Sequence, residues 1–488
     1  MNPFQLPDLT DKKIVFPDWL FIQAGYGYRT SNTPQTIDPS KYSHMVPRGI
    51  ELRIFPPKID PEPLIRAELP WEKFYIGAYS TVVFDPLACL ISDKNNSQPG
   101  IHRLYYECFR PMGPRWTDLN SLLCYAESRD LQHWFKPNLG IAEYQGSKEN
   151  NILFTPEMNQ FGGGLHGTHV FIDPNGSPEE RYKLTYCGPK SQTFVCTSAD
   201  GLHWKTQPNR ILESEADSEN VLEWDPIKKK YIAYSRRWQY DRRGINYAET
   251  EDFWYWPIPI PLLLSDPTLP PDADYYTNSY HRWPGTEALV QQGLGAAIMF
   301  PAMYYRTSDK VKPEILFSRN NLQWFRPSAN PLWDPQGTVY FGRGIWSPKP
   351  GEWCIFMANY EHTHNVKPDT SKPIGGLYAA RFREDGFCGV NAEGIGEFWS
   401  IPFRCQRGVI RVNATGPAHS WLRAELVDEL TGEAIEERNF EHCTSLFGDI
   451  LWDPIQWDDG GTLEEYNDVH LILHIQMYQK TLFGLKFG

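Results

Sequence analysis

Ser128-Arg-Asp130-Leu-Gln-His-Trp134 recurs as Ser198-Ala-Asp200-Gly-Leu-His-Trp204, as Thr250-Glu-Asp252-Phe-Trp-Tyr-Trp256 and as Ser318-Arg-Asn320-Asn-Leu-Gln-Trp324. Each copy has a hydroxyl, a spacer, Asp or Asn, and then Trp four residues on. A weaker fifth copy, Arg383-Glu-Asp385-Gly386-Phe387, keeps the turn and replaces Trp by Phe. Asp and Asn bond nearby backbone and tolerate the left-handed conformation, the hydroxyl adds a second local bond, and the ring packs beneath. The unit therefore reads as a structural turn, and its recurrence as a repeat architecture.

Strand-like runs precede each turn. Thr81-Val-Val-Phe and His102-Arg-Leu-Tyr-Tyr-Glu-Cys lie ahead of the first. Thr168-His-Val-Phe-Ile-Asp-Pro and Arg181-Tyr-Lys-Leu-Thr-Tyr lie ahead of the second, and Asn220-Val-Leu-Glu-Trp-Asp-Pro with Lys230-Tyr-Ile-Ala-Tyr ahead of the third. Ala297-Ile-Met-Phe and Gly351-Glu-Trp-Cys-Ile-Phe-Met-Ala supply the fourth and fifth. Helical periodicity is nearly absent. Strand, turn, strand, strand, turn unit, strand makes a four-stranded blade, and five such units predict an all-β chain with a five-bladed β-propeller over residues 71–390. Asp85, Asp173 and Asp225, each before Pro, read as turn formers.

Residues 1–70 are Pro-rich and read as an extended N-terminal segment packing on the propeller. Over 391–488 the turn unit disappears, and Glu397-Phe-Trp-Ser, Val409-Ile-Arg-Val, Trp421-Leu-Arg-Ala-Glu-Leu and His470-Leu-Ile-Leu-His-Ile alternate with Gly- and Asp-rich turns. This predicts a C-terminal β-sandwich, either a carbohydrate-binding module or a stabilising appendage.

The 488 residues include 18 Trp, 26 Tyr and 26 Phe, which suits strands and also platforms for flat ligands such as sugars. A formal net charge of −13 argues against nucleic acid or an anionic membrane as the main partner. Homo-oligomers stay open. No apolar run is long enough for a membrane helix, and the first residues lack the pattern of a signal peptide, so the expectation is a cytoplasmic protein or an already processed secreted or periplasmic one. The 9 cysteines contain no CxxC pair, so neither a disulfide framework nor a zinc knuckle is expected.

Five blades with Ser-x-Asp-Gly-x-x-Trp turns and a C-terminal sandwich resemble the family 32 and family 43 glycoside hydrolases, the fructosidase, arabinofuranosidase and xylosidase fold. The resemblance implies an active site at the mouth of the central cavity, where the inner strands begin, with three acids from the first three blades and no cofactor. The family 32 motifs Trp-Met-Asn-Asp-Pro-Asn, Arg-Asp-Pro and the blade-three Glu-Cys are not intact here. Glu107-Cys108 follows the second strand of blade one and is discounted for that reason.

The mouth of blade three does offer acids, Asp217 and Glu219, and Asp274 precedes the blade-four mouth. Glycosidic cleavage needs a carboxylic acid and a second carboxylate on opposite sides of the bond. Period-2 spacing allows Asp217 and Glu219 to face one cavity, so Glu219 is expected as the acid, with Asp217 or Asp274 as its partner. Tyr79, Asn150, Asn151, His166, His169, Arg236, Trp238, Asn278, Arg343 and His362 are candidate substrate contacts. Converging histidines would make a metal in the channel possible, although no motif supports one. Three readings follow: a glycosidase acting on an oligo- or polysaccharide, a non-catalytic carbohydrate-binding propeller, and, with less support, a polysaccharide lyase using His and Tyr.

Overall fold

The computed structural model describes all residues except 1–5, 26–42, 93–97, 112–118, 162, 214–216, 265–267, 329–330, 367–368, 370 and 459. Among the described residues the chain is strands joined by turns, and its helical elements are short 3-10 segments. Four antiparallel four-stranded sheets follow one another along the chain. The first is Tyr75–Asp85, Ile101–Pro111, Leu119–Ser128 and Ile152–Phe154. The second runs from His166–Ile172 through Tyr182–Cys187 and Thr193–Ser198 to Lys205–Thr206, and the third from Val221–Asp225 through Lys230–Gln239 and Arg242–Thr250 to Ile260–Leu263. The fourth comprises Tyr280–Arg282, Ala297–Met299, Leu316–Ser318 and Trp324–Phe325.

The expected fifth blade is not a discrete four-stranded sheet. Thr338–Phe341, Glu352–Tyr360 and Gly376–Arg383 belong to a nine-stranded sheet. One parallel pairing, Val311 with Thr338, joins them to Ala273–Thr277, Ala302–Tyr305 and Lys310–Pro313. The reason is the long insertion between the third and fourth turn units, whose extra strands extend beside blade four and reach the neighbouring sheet.

The ring closes through its inner strands. Val82 N donates to Arg343 O at 2.9 Å and Arg343 N to Ser80 O at 2.7 Å, joining the first blade to the last sheet. Thr185 Oγ1 donates to Asn220 O at 2.7 Å, and Ser279 Oγ to Gly342 O at 2.6 Å. Leu131, Gly201 and Asn321 in the repeated turns have positive φ, at 62°, 74° and 66°. Their amides donate to Ser128, Ser198 and Ser318 Oγ, while Asp130, Asp200 and Asn320 accept from the next two amides. Asp85, Asp173 and Asp225 do cap turns, accepting from Leu87 N, Asn175 N and Ile227 N.

The C-terminal region is an eight-stranded sheet folded about the 17-residue strand Leu471–Phe487. Before Gln479, whose φ is 47°, that strand pairs with Trp421–Asp428 and Cys388–Trp399. After it, pairing includes Ile410–Thr415 and Lys12–Val15. Leu473, Ile475, Met477, Leu482 and Leu485 share one core with Leu9, Phe16 and Phe21, so both halves of the fold enclose the same apolar interior. The N-terminal segment thus does more than lie on the propeller. Lys12–Val15 and Glu51–Ile54 are strands of the C-terminal sheet, while Lys58–Ile59 and Ile65–Arg66 edge the propeller strand Gly376–Arg383. Buried Asp385 fastens this seam, accepting from Lys13 Nζ and Trp283 Nε1, both at 2.7 Å.

Candidate active site

Two blades bring their loops together at one end of the ring because of a single glycine. Gly167 has φ of +67°, and a Cβ there would lie 2.4 Å from Ser218 O and 3.0 Å from Glu219 N. Without a side chain, the start of the second blade can pass against the segment entering the third. His166 and Asp217 are thereby placed at one cavity of about 550 Å³. Its walls are aromatic (Tyr75, Tyr79, Phe109, Tyr276 and Tyr340), with polar groups from Asn120, His362 and His364 among them. A concave, aromatic-lined site with a few convergent polar groups is the expected form of a small-ligand pocket.

The charged groups at this mouth form a chain. Arg236 is buried beneath the cavity, ion-paired to the half-exposed carboxylate of Asp217, with its guanidinium 4.5 Å from the Tyr276 ring centre and 5.3 Å from that of Trp238. Glu107 is fully buried. It accepts from Thr168 N at 2.7 Å and Thr168 Oγ1 at 3.1 Å, and its other oxygen lies 3.0 Å from His166 Nδ1. Burial opposes a charged imidazole at His166, but Glu107, by charge and hydrogen bond, and then Asp217 outweigh it, and the His166 pKa is raised. An imidazole whose charged form is favoured by Glu107 thus stands with the Asp217 carboxylate at the wall of one cavity.

Glu219, expected as the acid, lies elsewhere. It is 1% exposed and is not among the residues lining this cavity, and neither of its carboxyl oxygens has a hydrogen-bond partner among the described residues. Desolvation pushes its pKa well above the usual range, with Arg343 opposing and Glu107 adding to the shift. Burial thus favours its neutral form. Asp274 is also placed away from the cavity lining, because it is fully buried among Arg242, Arg243 and Arg306. Its surroundings make it an anchor for three guanidiniums.

The candidate contacts divide in the same way. Tyr79, His166 and His362 line the mouth cavity. His169 and Arg343 line a second cavity of about 400 Å³ with Glu223 and His281, further along the inner strands. Arg343 Nη2 is ion-paired to Glu223 there, and burial, reinforced by Arg343, holds His169 well below the ordinary histidine value. Asn150, Asn151 and Asn278 are internal braces. Asn150 Nδ2 donates to Ala142 O, Asn151 Nδ2 to Tyr125 O and the Tyr106 hydroxyl, and Asn278 Nδ2 to Tyr234 O. Trp238 carries Arg236 and Arg243 on its ring and supports the site from behind. Sequence reasoning missed Glu107, discounted for its blade, and the rings Tyr276 and Tyr340; only register and ring closure bring these to the mouth. Among the described residues no group of three or more His, Cys, Asp and Glu side chains is placed to hold a metal ion. No helix among the described residues is long and apolar enough to cross a membrane.

No protein-family model matches the chain, and no curated protein matches it by sequence. Among solved structures it is similar to an N-acetylgalactosamine deacetylase from F. plautii, in complex with blood group B trisaccharide, at 12% identity and a TM-score of 0.43, covering 69% of this chain and 96% of that one. It is similar to the catalytic domain of a GH62 α-L-arabinofuranosidase from Coprinopsis cinerea, at 11% identity and a TM-score of 0.42, covering 67% and 96%. A fructofuranosidase from Schwanniomyces occidentalis, complexed with fructosylnystose, aligns at 11% identity and a TM-score of 0.42, over 87% and 96%. At these identities the functional reading rests on the site itself.

Proposed function

We propose that the protein hydrolyses a glycosidic bond in the aromatic cavity at the propeller mouth. In this reading Asp217 is the carboxylate that activates water or attacks the anomeric carbon, and His166 is the proton donor to the leaving oxygen. The observation that carries it is the placement of both groups on one cavity wall, with His166 held toward its protonated form by Glu107. Glycosidic cleavage needs one group that gives a proton and one that acts as base or nucleophile. Arg236 fixes the Asp217 carboxylate and supplies a counter-charge. Glu107 orients the imidazole through Nδ1. Tyr79, Tyr276 and Tyr340 give the cavity an apolar wall for a sugar ring. Burial first, and neighbouring tyrosines at Tyr79 and Tyr340, raise these phenols well above or above their ordinary value, so they keep their protons, which disfavours a tyrosinate-based lyase.

The test is release of reducing ends from a panel of arabinan, xylan and fructan oligosaccharides and the matching aryl glycosides. Asp217→Asn is expected to lower kcat by about 10² to 10⁴, the usual worth of a positioned acid or base. His166→Gln should fall as far on natural glycosides and less on aryl glycosides, whose leaving groups need little protonation. Turnover near wild type in Asp217→Asn removes the proposed chemistry, and a wild-type protein that binds these sugars without cleaving any favours the non-catalytic reading.

A further inference from the structure

We propose that the outward face of the C-terminal sheet carries a second sugar site, a platform for a polysaccharide chain, built on Phe447, Trp421, Tyr478 and Ile395. Register places these four side by side. Trp421 is opposite Phe447 on one side and Tyr478 on the other, and Tyr478 is opposite Ile395. Directly opposed residues of an antiparallel sheet share a face, so the four form one row across four strands. The face is the outer one, because the alternate residues Leu422, Ala424, Ile475 and Met477 are in the core. Phe447 is 61% and Ile395 69% exposed, and Trp421 and Tyr478 are partly exposed.

The shape of the row selects its occupant. The Trp421 and Tyr478 rings are 6.3 Å apart at their centres and 24° from parallel, and the Arg423 guanidinium lies 5.5 Å from the Trp421 ring centre. Three strand spacings give the row a length of about 14 Å, and it is a single residue wide. A specific protein interface buries about 800 Å² on each partner, which a strip of this width does not approach. Two residues along each strand the next row is polar. Arg423 Nη2 donates to Gln476 Oε1 at 2.9 Å, Gln476 Nε2 donates to Glu397 Oε2 at 3.1 Å, and Arg48 pairs with Glu397 at 3.5 Å. Arg48 and Glu397 are paired, while the Arg423 guanidinium is bonded to the neutral Gln476 amide and lies over the Trp421 and Phe440 rings, so the row offers amide and guanidinium edges for hydroxyls. An aromatic row beside a hydrogen-bonding row fits sugar rings, whose C–H faces are apolar and whose edges carry hydroxyls. The site is structurally separate from the propeller cavity and does not rest on the catalytic reading.

Native gels cast with xylan, arabinan or inulin read this directly, using the full chain carrying Asp217→Asn so that retention and cleavage are seen apart. Retardation by at least one of the three is expected, and Trp421→Ala should weaken the apparent affinity about tenfold. Phe447→Ala, on an edge strand where refolding is not at issue, should weaken it less. In the otherwise native chain, Trp421→Ala should leave turnover of a soluble aryl glycoside unchanged. The proposal is overturned if no gel retards the protein, if both variants are retarded as strongly as the parent, or if Trp421→Ala instead dissolves a dimer seen by light scattering.

Discussion

Replacing Asp274 by Asn separates an anchor from a catalyst. The carboxylate has no exposed surface; Oδ1 lies 2.7 Å from Arg242 Nε, and Oδ2 lies 2.9 Å from Arg306 Nε and 3.3 Å from Arg243 Nη1. The amide keeps the shape, loses the charge, and turns an NH₂ toward a guanidinium. Removing one partner from a buried ionic cluster costs about 3–5 kcal/mol, because the charges left behind remain desolvated. Here the arginines are between 16% and 37% exposed, so water relieves part of that cost and the low end, about 3 kcal/mol, is expected. That is a factor of about 100 in the folding equilibrium. Urea unfolding followed by tryptophan fluorescence measures it, with turnover recorded below the transition. A loss under about 1 kcal/mol refutes the ledger. A fully stable Asp274→Asn protein without turnover returns this aspartate to the chemistry.

The His166 proton supplies a pH signature. Its folded pKa is raised above the ordinary 6.5, so the donor form persists below that value and is lost as pH rises through the raised one; activity should therefore fall on an alkaline limb above 6.5. The stability that the charged imidazole contributes follows the same direction, present below 6.5 and lost as pH rises through the folded value. Glu107→Gln removes the partner that does most to raise the pKa, and the limb of kcat/KM should move toward acid; a limb that stays in place takes Glu107 out of the dyad. Burial favours the neutral form of Glu219 and Gln is its neutral isostere, so turnover of Glu219→Gln within about threefold of wild type is expected. A loss beyond about a hundredfold in a folded Glu219→Gln protein would place Glu219 in the reaction.

The sequence by itself determined the elements and their repetition. A hydroxyl, an Asx and a tryptophan at fixed spacing specify a turn through bonds made within seven residues, so Ser128–Trp134 and its copies announce blades without reference to anything distant. The same locality made Asp85, Asp173 and Asp225 legible as turn formers, and Asp217 recognisable as an acid at a strand entrance. Tertiary structure decided everything that depends on which strands become neighbours. Glu107 looked misplaced on a second strand, yet the packing of the first blade against the second sets it beside Thr168 and His166. Glu219 and Asp217 are two residues apart, but one meets solvent beside Arg236 and the other is sealed in the channel, a difference set by the blades around them. Asp274 read as a candidate catalyst until three arginines, two from the adjoining blade and one beyond Ala302–Tyr305, were seen to converge on it. Backbone preference is encoded in adjacent residues, whereas burial, pairing and the proton affinity that follows from them are properties of the assembled ring.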